Sequence, residues 1–162
     1  MTRILGIDPG FGRLGYGIVE VDGRSEKAVV FGCVETDKNL PHEQRLREIF
    51  VAVNNLVDTW HPAHFAVEEL FFNQNVNTAI GVGEARGVVL LAAAERGMSV
   101  SEHQPLAVKL SITGDGRADK QQVQKMVQLL LKLAHPPTPD DAADALAVAL
   151  TAARNLWQRS LA

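Results

Sequence analysis

The run Ile4-Leu5-Gly6-Ile7-Asp8-Pro9-Gly10 constrains the rest of the chain more than any other stretch. Ile4, Leu5 and Ile7 are apolar without alternation, the pattern of a strand buried on both faces. Asp8 ends that strand, and Pro9-Gly10 stops it. Aspartate is disfavoured in strands, and a buried, unpaired carboxylate is costly. Asp8 therefore needs a cation, a hydrogen-bonding turn or a water-filled crevice. A turn over Asp8-Pro9-Gly10 would satisfy it locally. Whether it does more depends on where the other acids fall.

A chain of 162 residues is most simply one domain, here 1–162, with a flexible tail from about residue 155. At 46% hydrophobic residues it can bury a proper core. Its net charge of −3 gives no bulk attraction for nucleic acid. Any such binding must use a local basic surface, or metal ions that cancel acidic side chains. The single Cys33 cannot form an internal disulfide and reads as a small core residue. No signal-peptide pattern and no membrane-spanning apolar run is visible, so a soluble, cytoplasmic protein without membrane contact is expected.

Beyond a Gly-rich passage from Gly12 to Gly15, Tyr16–Val21 reads as a second strand and Ala28–Val34 as a third, joined by an Asp22-Gly23 turn. Short connections make these three an antiparallel meander. Pro41 opens a helix whose stripe runs from Leu46 through Ile49, Phe50, Val53, Leu56 and Val57 to Trp60, and His61-Pro62 ends it. Phe65-Ala66-Val67 is a short fourth strand that also runs into acid, Glu68-Glu69, followed by a loop. A helix over 78–96 contains Gly81, Gly83 and Gly87, each costing roughly 1 kcal/mol against Ala. That cost implies close packing, against the sheet or a second subunit, or a later helix start. Gly97 fits a helix C-cap and 98–102 a fifth strand. A short helix over 105–112, a loop at 113–117 and an amphipathic helix around Val123, Met126, Val127 and Leu130 follow. After Pro136-Pro137-Thr138-Pro139, a last helix starts at Asp140, with Thr138 as N-cap and Pro139 in the first helical position. The fold class is α/β, a five-stranded mixed sheet (the meander plus two parallel strands) flanked by helices.

This topology brings acids together. A strand–helix–strand crossover makes the Asp8 and Phe65–Val67 strands parallel. Asp8 and Glu68 then lie at the same sheet edge, where ligands bind in open α/β sheets. Asp141 and Asp144, three apart, share one face of the last helix, whose Ala-rich remainder allows close approach to the sheet. In the first turn, Asp140 and Asp141 could simply favour the helix dipole. Asp144 lies deeper, where aspartate is a poor helix former. Several carboxylates in one crevice need a cation. Oxygen donors without a His or Cys cluster favour Mg²⁺ or Mn²⁺ over Zn²⁺. Such sites suit two-metal phosphoryl chemistry.

Taken together, Gly6-Ile7-Asp8-Pro9-Gly10, Gly15-Tyr16-Gly17, Ala66-Val67-Glu68, Ala85-Arg86-Gly87-Val88, Val123-Gln124-Lys125-Met126-Val127 and Asp141-Ala142-Ala143-Asp144-Ala145-Leu146-Ala147 resemble the RuvC family of bacterial Holliday-junction resolvases, in the ribonuclease H-like superfamily. The resemblance extends to about Arg154. It implies a homodimer that binds four-way junction DNA and makes symmetric paired nicks in recombination and repair, leaving 5′-phosphate and 3′-hydroxyl ends. It implies Mg²⁺, two ions per site, with Mn²⁺ able to substitute, and cooperation with the branch-migration proteins RuvA and RuvB. Carried over by position, Asp8, Glu68, Asp141 and Asp144 are the catalytic and metal-binding acids. Glu69 is an alternative to Glu68 that spacing alone does not separate. Some family members carry His where Asp141 stands; here the set is fully acidic. Phe71 matches a position that stacks on an unpaired base, and Lys109 and Lys120 match basic positions near the scissile phosphate. Arg117, Arg13 and Arg86 are further candidates for phosphate contact. His103 and His135 read as structural or surface residues.

Two other readings compete. The first motif alone also fits actin-like ATPases and sugar kinases, but the chain is too short for a second lobe closing over ATP. A junction-binding scaffold without chemistry would not need all four acids.

Overall fold

β1 (Thr2–Asp8) is the centre of the sheet, with neighbours of opposite kinds on its two sides. The computed structural model describes residues 1–70 and 76–160. β2 (Arg13–Asp22) pairs antiparallel with β1, and β3 (Ser25–Glu35) antiparallel with β2. α1 (His42–Trp60) crosses over to β4 (His64–Glu68), parallel to β1. α2 (Val76–Glu95) leads to β5 (Ser99–His103), parallel to β4. The order is β3-β2-β1-β4-β5, the mixed sheet expected from sequence. α3 (Pro105–Thr113), α4 (Lys120–Leu130) and α5 (Asp140–Ser160) complete the chain.

Alternation along β1 divides the core in two. Leu5 and Ile7 pack with Phe65, Val67, Ile49, Val53 and Val89 on the α1–α2 side. Ile4 and Ala66 pack with Leu146, Ala149, Val123 and Val108 on the side of α3, α4 and α5. Each face is fully covered, which is why β1 reads as a continuous apolar run.

α5 lies unusually close to the sheet. A Cβ on Gly6 would run into the Ala145 carbonyl, one on Gly15 into the Asp141 carbonyl, and one on Gly17 into the Leu146 side chain. Gly6 pairs with Gly17, and Gly15 with Asp8. Three glycines on β1 and β2 thus form a slot for the Ala-rich helix.

Local differences from the sequence reading have physical causes. β2 begins at Arg13 rather than Tyr16, because Arg13–Gly15 of the Gly-rich passage already pairs with neighbouring strands. α2 is already helical at Val76, so its glycines do not mark a late start. Gly81 meets Phe11, which accounts for one of them, whereas Gly83 and Gly87 meet no atom within 4 Å among the described residues. α5 begins at Asp140, so Pro139 rather than Thr138 directly precedes it and accepts from the Ala142 amide at 3.0 Å. The stretch from about residue 155 is helical as far as Ser160, and the Arg24 guanidinium lies 5.4 Å from the Trp157 ring. His103 is buried, its Nε2 2.8 Å from the Ser101 hydroxyl, which fits a structural residue. Among the described residues no helix is long and apolar enough to cross a membrane.

Candidate active site

Four carboxylates converge at one edge of the sheet. Asp8 is the last residue of β1 and Glu68 the last of β4, and Ile7 pairs with Val67 one step earlier. Both acids extend the α5 side of their strands, continuing Gly6 and Ala66. α5 crosses that face with Asp141 over Gly15, the register partner of Asp8. Asp144 is one turn further along. Alternation also separates the two glutamates. Glu69 follows Val67 toward the α1–α2 side, and its amide continues the ladder to the His103 carbonyl at 2.8 Å. Glu68 is the one that joins Asp8.

The crowding is visible in the titration of these groups. Burial, then Glu68, Asp144 and Asp141, push Asp8 up to about 8. Burial and Asp144 push Glu68 up to about 7. Burial also raises Asp144, with Lys120 pulling the other way. Low dielectric and like charge both penalise the ionised forms, so the cluster calls for added positive charge.

Part of that charge comes from side chains. Lys120 Nζ lies 3.2 Å from Asp140 Oδ2 and 3.2 Å from Asp144 Oδ2. Burial works against its charge, but Asp144 and Asp140 outweigh it and hold the ammonium above the usual lysine range. A capping box fixes its position. Asp119 accepts from the Gln122 amide at 2.8 Å, and Gln122 accepts from the Asp119 amide at 2.9 Å, placing Lys120 first in α4. Asp140, which the dipole argument would make incidental, is the second hand on this lysine. Arg13, at the start of β2, puts Nη2 3.0 Å from Asp141 Oδ2, and its Nε lies 3.6 Å from Glu35.

The remaining sequence candidates fall as follows. Lys109, on α3, is half-buried and near enough to Glu68 to favour its charged form. Arg117 is exposed between α3 and α4, its amide held by Asp115 at 2.8 Å. Arg86 is not brought to the carboxylates. It is ion-paired to Glu102, whose register partner Val67 faces the α1–α2 side. Phe71 lies outside the described residues. Asp140 and Glu35 were missed by sequence reasoning, since their roles depend on cations that only the tertiary fold brings near.

The donor set fits a hard divalent cation. All four groups are carboxylates, and Asp141 Oδ2 is a buried oxygen that accepts no hydrogen bond, its contact with Arg13 being Coulombic only. Among the described residues no three His, Cys, Asp or Glu side chains are already drawn together as a finished cage. Two of the acids are instead turned toward Lys120 and Arg13.

Known proteins agree with this architecture. The family model described as crossover junction endodeoxyribonuclease RuvC matches residues 4–152. A relative of that name from Heliobacterium modesticaldum is 53% identical over 153 residues, covering 94% of each chain. Another, from Thermotoga maritima, is 52% identical over 147 residues, 91% of this chain and 88% of its own. The structure of T. thermophilus RuvC in complex with a Holliday junction substrate superposes with a TM-score of 0.92 at 36% identity, covering 99% of this chain and 98% of that one. The sheet order and flanking helices are those of the ribonuclease H-like fold. Agreement of sequence and fold over nearly the whole length has one meaning: the chain belongs to the RuvC family of crossover junction endodeoxyribonucleases.

Proposed function

We propose that the chain is a crossover junction endodeoxyribonuclease that resolves four-way DNA junctions in recombination and repair, using divalent metal ions. The observation that carries this reading is the meeting of Asp8 and Glu68, on adjacent parallel strands, with Asp141 and Asp144 on one tightly docked helix. These four acids would hold two Mg²⁺ ions, for which Mn²⁺ could substitute. Such ions supply a nucleophilic water at neutral pH and charge for the leaving oxygen of an in-line displacement, leaving 5′-phosphate and 3′-hydroxyl ends.

The chain's own residues do the rest. The slot formed by Gly6, Gly15 and Gly17 fixes the spacing between the sheet acids and the helix acids. Lys120 and Lys109 stand on the rim where a phosphodiester would enter, and each offsets carboxylate charge that would repel it. Arg13 and Arg117 extend this basic rim. Arg86 would reach phosphate only by leaving Glu102. Phe71 is assigned to stacking on a base unpaired at the junction.

Symmetric paired nicks need two sites, and we assign the homodimer surface to α2. This helix leaves Ile80 (57% exposed) and Leu91 (53%) uncovered beside Gly83 and Gly87, an apolar strip with room for a second backbone. RuvA and RuvB are the proposed partners, and the cytoplasm the proposed location.

The test is a labelled mobile four-way junction beside a matched linear duplex, each with EDTA, Mg²⁺ or Mn²⁺, for the wild type and Asp8→Asn. Paired nicks in the junction only, with metal only, and absent from the variant are expected. Binding without cleavage under every metal would sink the catalytic reading and leave a junction-binding protein.

A further inference from the structure

We propose that Arg13 is a displaceable counter-ion for Asp141: it holds the helix carboxylate in the metal-free protein and competes with the divalent ion for it. The inference rests on the metal-dependent reading above and concerns the order of events at that site. The guanidinium is wedged between two elements, with Nε toward Glu35 at the end of β3 and Nη2 3.0 Å from Asp141 Oδ2 in the first turn of α5. The Cys33 thiol, register partner of Gly15, is close enough to interact with it as well.

Three features make this contact a place-holder. Asp141 Oδ2 is buried yet receives no hydrogen bond, so Arg13 supplies charge without satisfying the oxygen. The arginine is 46% exposed, so it can leave without opening the core. Glu35 is 72% exposed and holds its other side at 3.6 Å, a loose tether that a freed guanidinium can keep. A divalent ion concentrates twice the charge and takes carboxylate oxygens directly, so it displaces a partly solvated arginine. The released side chain then stands at the rim on its loose tether to Glu35, free to turn its Nη side to incoming phosphate. One residue would thus stabilise the empty site, set the metal concentration needed to fill it, and contact DNA only after filling.

The test titrates Mn²⁺ against protein without DNA, following the free-ion electron paramagnetic resonance signal at about pH 8. Arg13→Gln is expected to bind Mn²⁺ about 2- to 5-fold more tightly than wild type, and Arg13→Lys to fall between, as the loss of a partly exposed ion pair predicts. In an Asp141→Asn background the effect of Arg13→Gln should vanish. Thermal melts give a second readout: Arg13→Gln lowers the midpoint in EDTA and leaves the Mn²⁺-loaded midpoint where the wild type has it. Junction affinity should move the opposite way to metal affinity, falling in Arg13→Gln. Unchanged or weaker Mn²⁺ binding by a folded Arg13→Gln protein overturns the proposal, leaving Arg13 a phosphate contact or a structural brace. If wild type and variants alike bind no Mn²⁺, the metal-dependent reading falls and takes this inference with it.

Discussion

Asp8 shows how one side chain couples chemistry to stability. Its carboxyl and that of Glu68 titrate higher in the folded chain than in an unfolded one, up to about 8 and about 7. Across that interval the native state keeps protons that the unfolded state has released. The metal-free protein is therefore most stable at the acid end of the interval and loses stability as pH rises through these folded values. Thermal midpoints in EDTA should decline between about pH 5 and pH 8, and Asp8→Asn should flatten the decline and raise the midpoint near pH 8 by a few degrees. The same variant should lose roughly 10²-fold or more of junction cleavage, measured under single-turnover conditions with Mg²⁺. Stability gained with activity lost would mark Asp8 as a group held against its preference. Metal affinity should rise over the same pH range, because the ion competes with those protons. Asp8 was legible from sequence as an acid in the wrong place. Its partners Asp141 and Asp144 were legible from helical spacing. Spacing did not separate Glu68 from Glu69; the family resemblance favoured Glu68, and the pairing of β4 with β1 supplies the physical reason by fixing which face each side chain takes.

The tight seat of α5 carries the argument at the scale of elements. Gly6→Ala would force its new methyl into the Ala145 carbonyl, and neither backbone can yield cheaply. A loss of about 1–3 kcal/mol is expected in urea unfolding, with a larger proportional loss of cleavage, because the helix acids move away from Asp8. Gly87→Ala is the contrasting change, since its Cβ meets nothing within 4 Å. Element identity and order were readable because apolar periodicity and Pro/Gly punctuation agree along most of the chain. Boundaries were less so. Gly12 to Gly15 looks like a loop by composition, yet Arg13–Gly15 belongs to β2, because glycine is tolerated where a helix must pass close over a strand. The α4 cap was equally hidden: Asp119 and Gln122 are ordinary surface residues until they are seen to lock the first turn that carries Lys120.

At the scale of the whole molecule, the two faces of the sheet have separate tasks. α5 brings the acids to one face, while α2, packed on the other, keeps Ile80 and Leu91 in contact with solvent. If α2 is the dimer surface, Leu91→Glu should yield a folded monomer by analytical ultracentrifugation. That monomer should still bind metal, but nick junctions one strand at a time. Sequence alone placed three glycines in this helix without separating their purposes. Gly81 accommodates Phe11 within the chain, whereas the space beside Gly83 and Gly87 is left for something else.

The glycine slot under α5 also bears on how such a chain is made. Asp8 and Glu68 emerge from the ribosome long before Asp141 and Asp144, and until that helix seats, two lone carboxyls have nothing opposite them. A polypeptide that stops before α5 would carry Asp8 and Glu68 without Asp141 and Asp144. The snug fit between helix and sheet thus ties assembly of the four-acid cluster to completion of the fold.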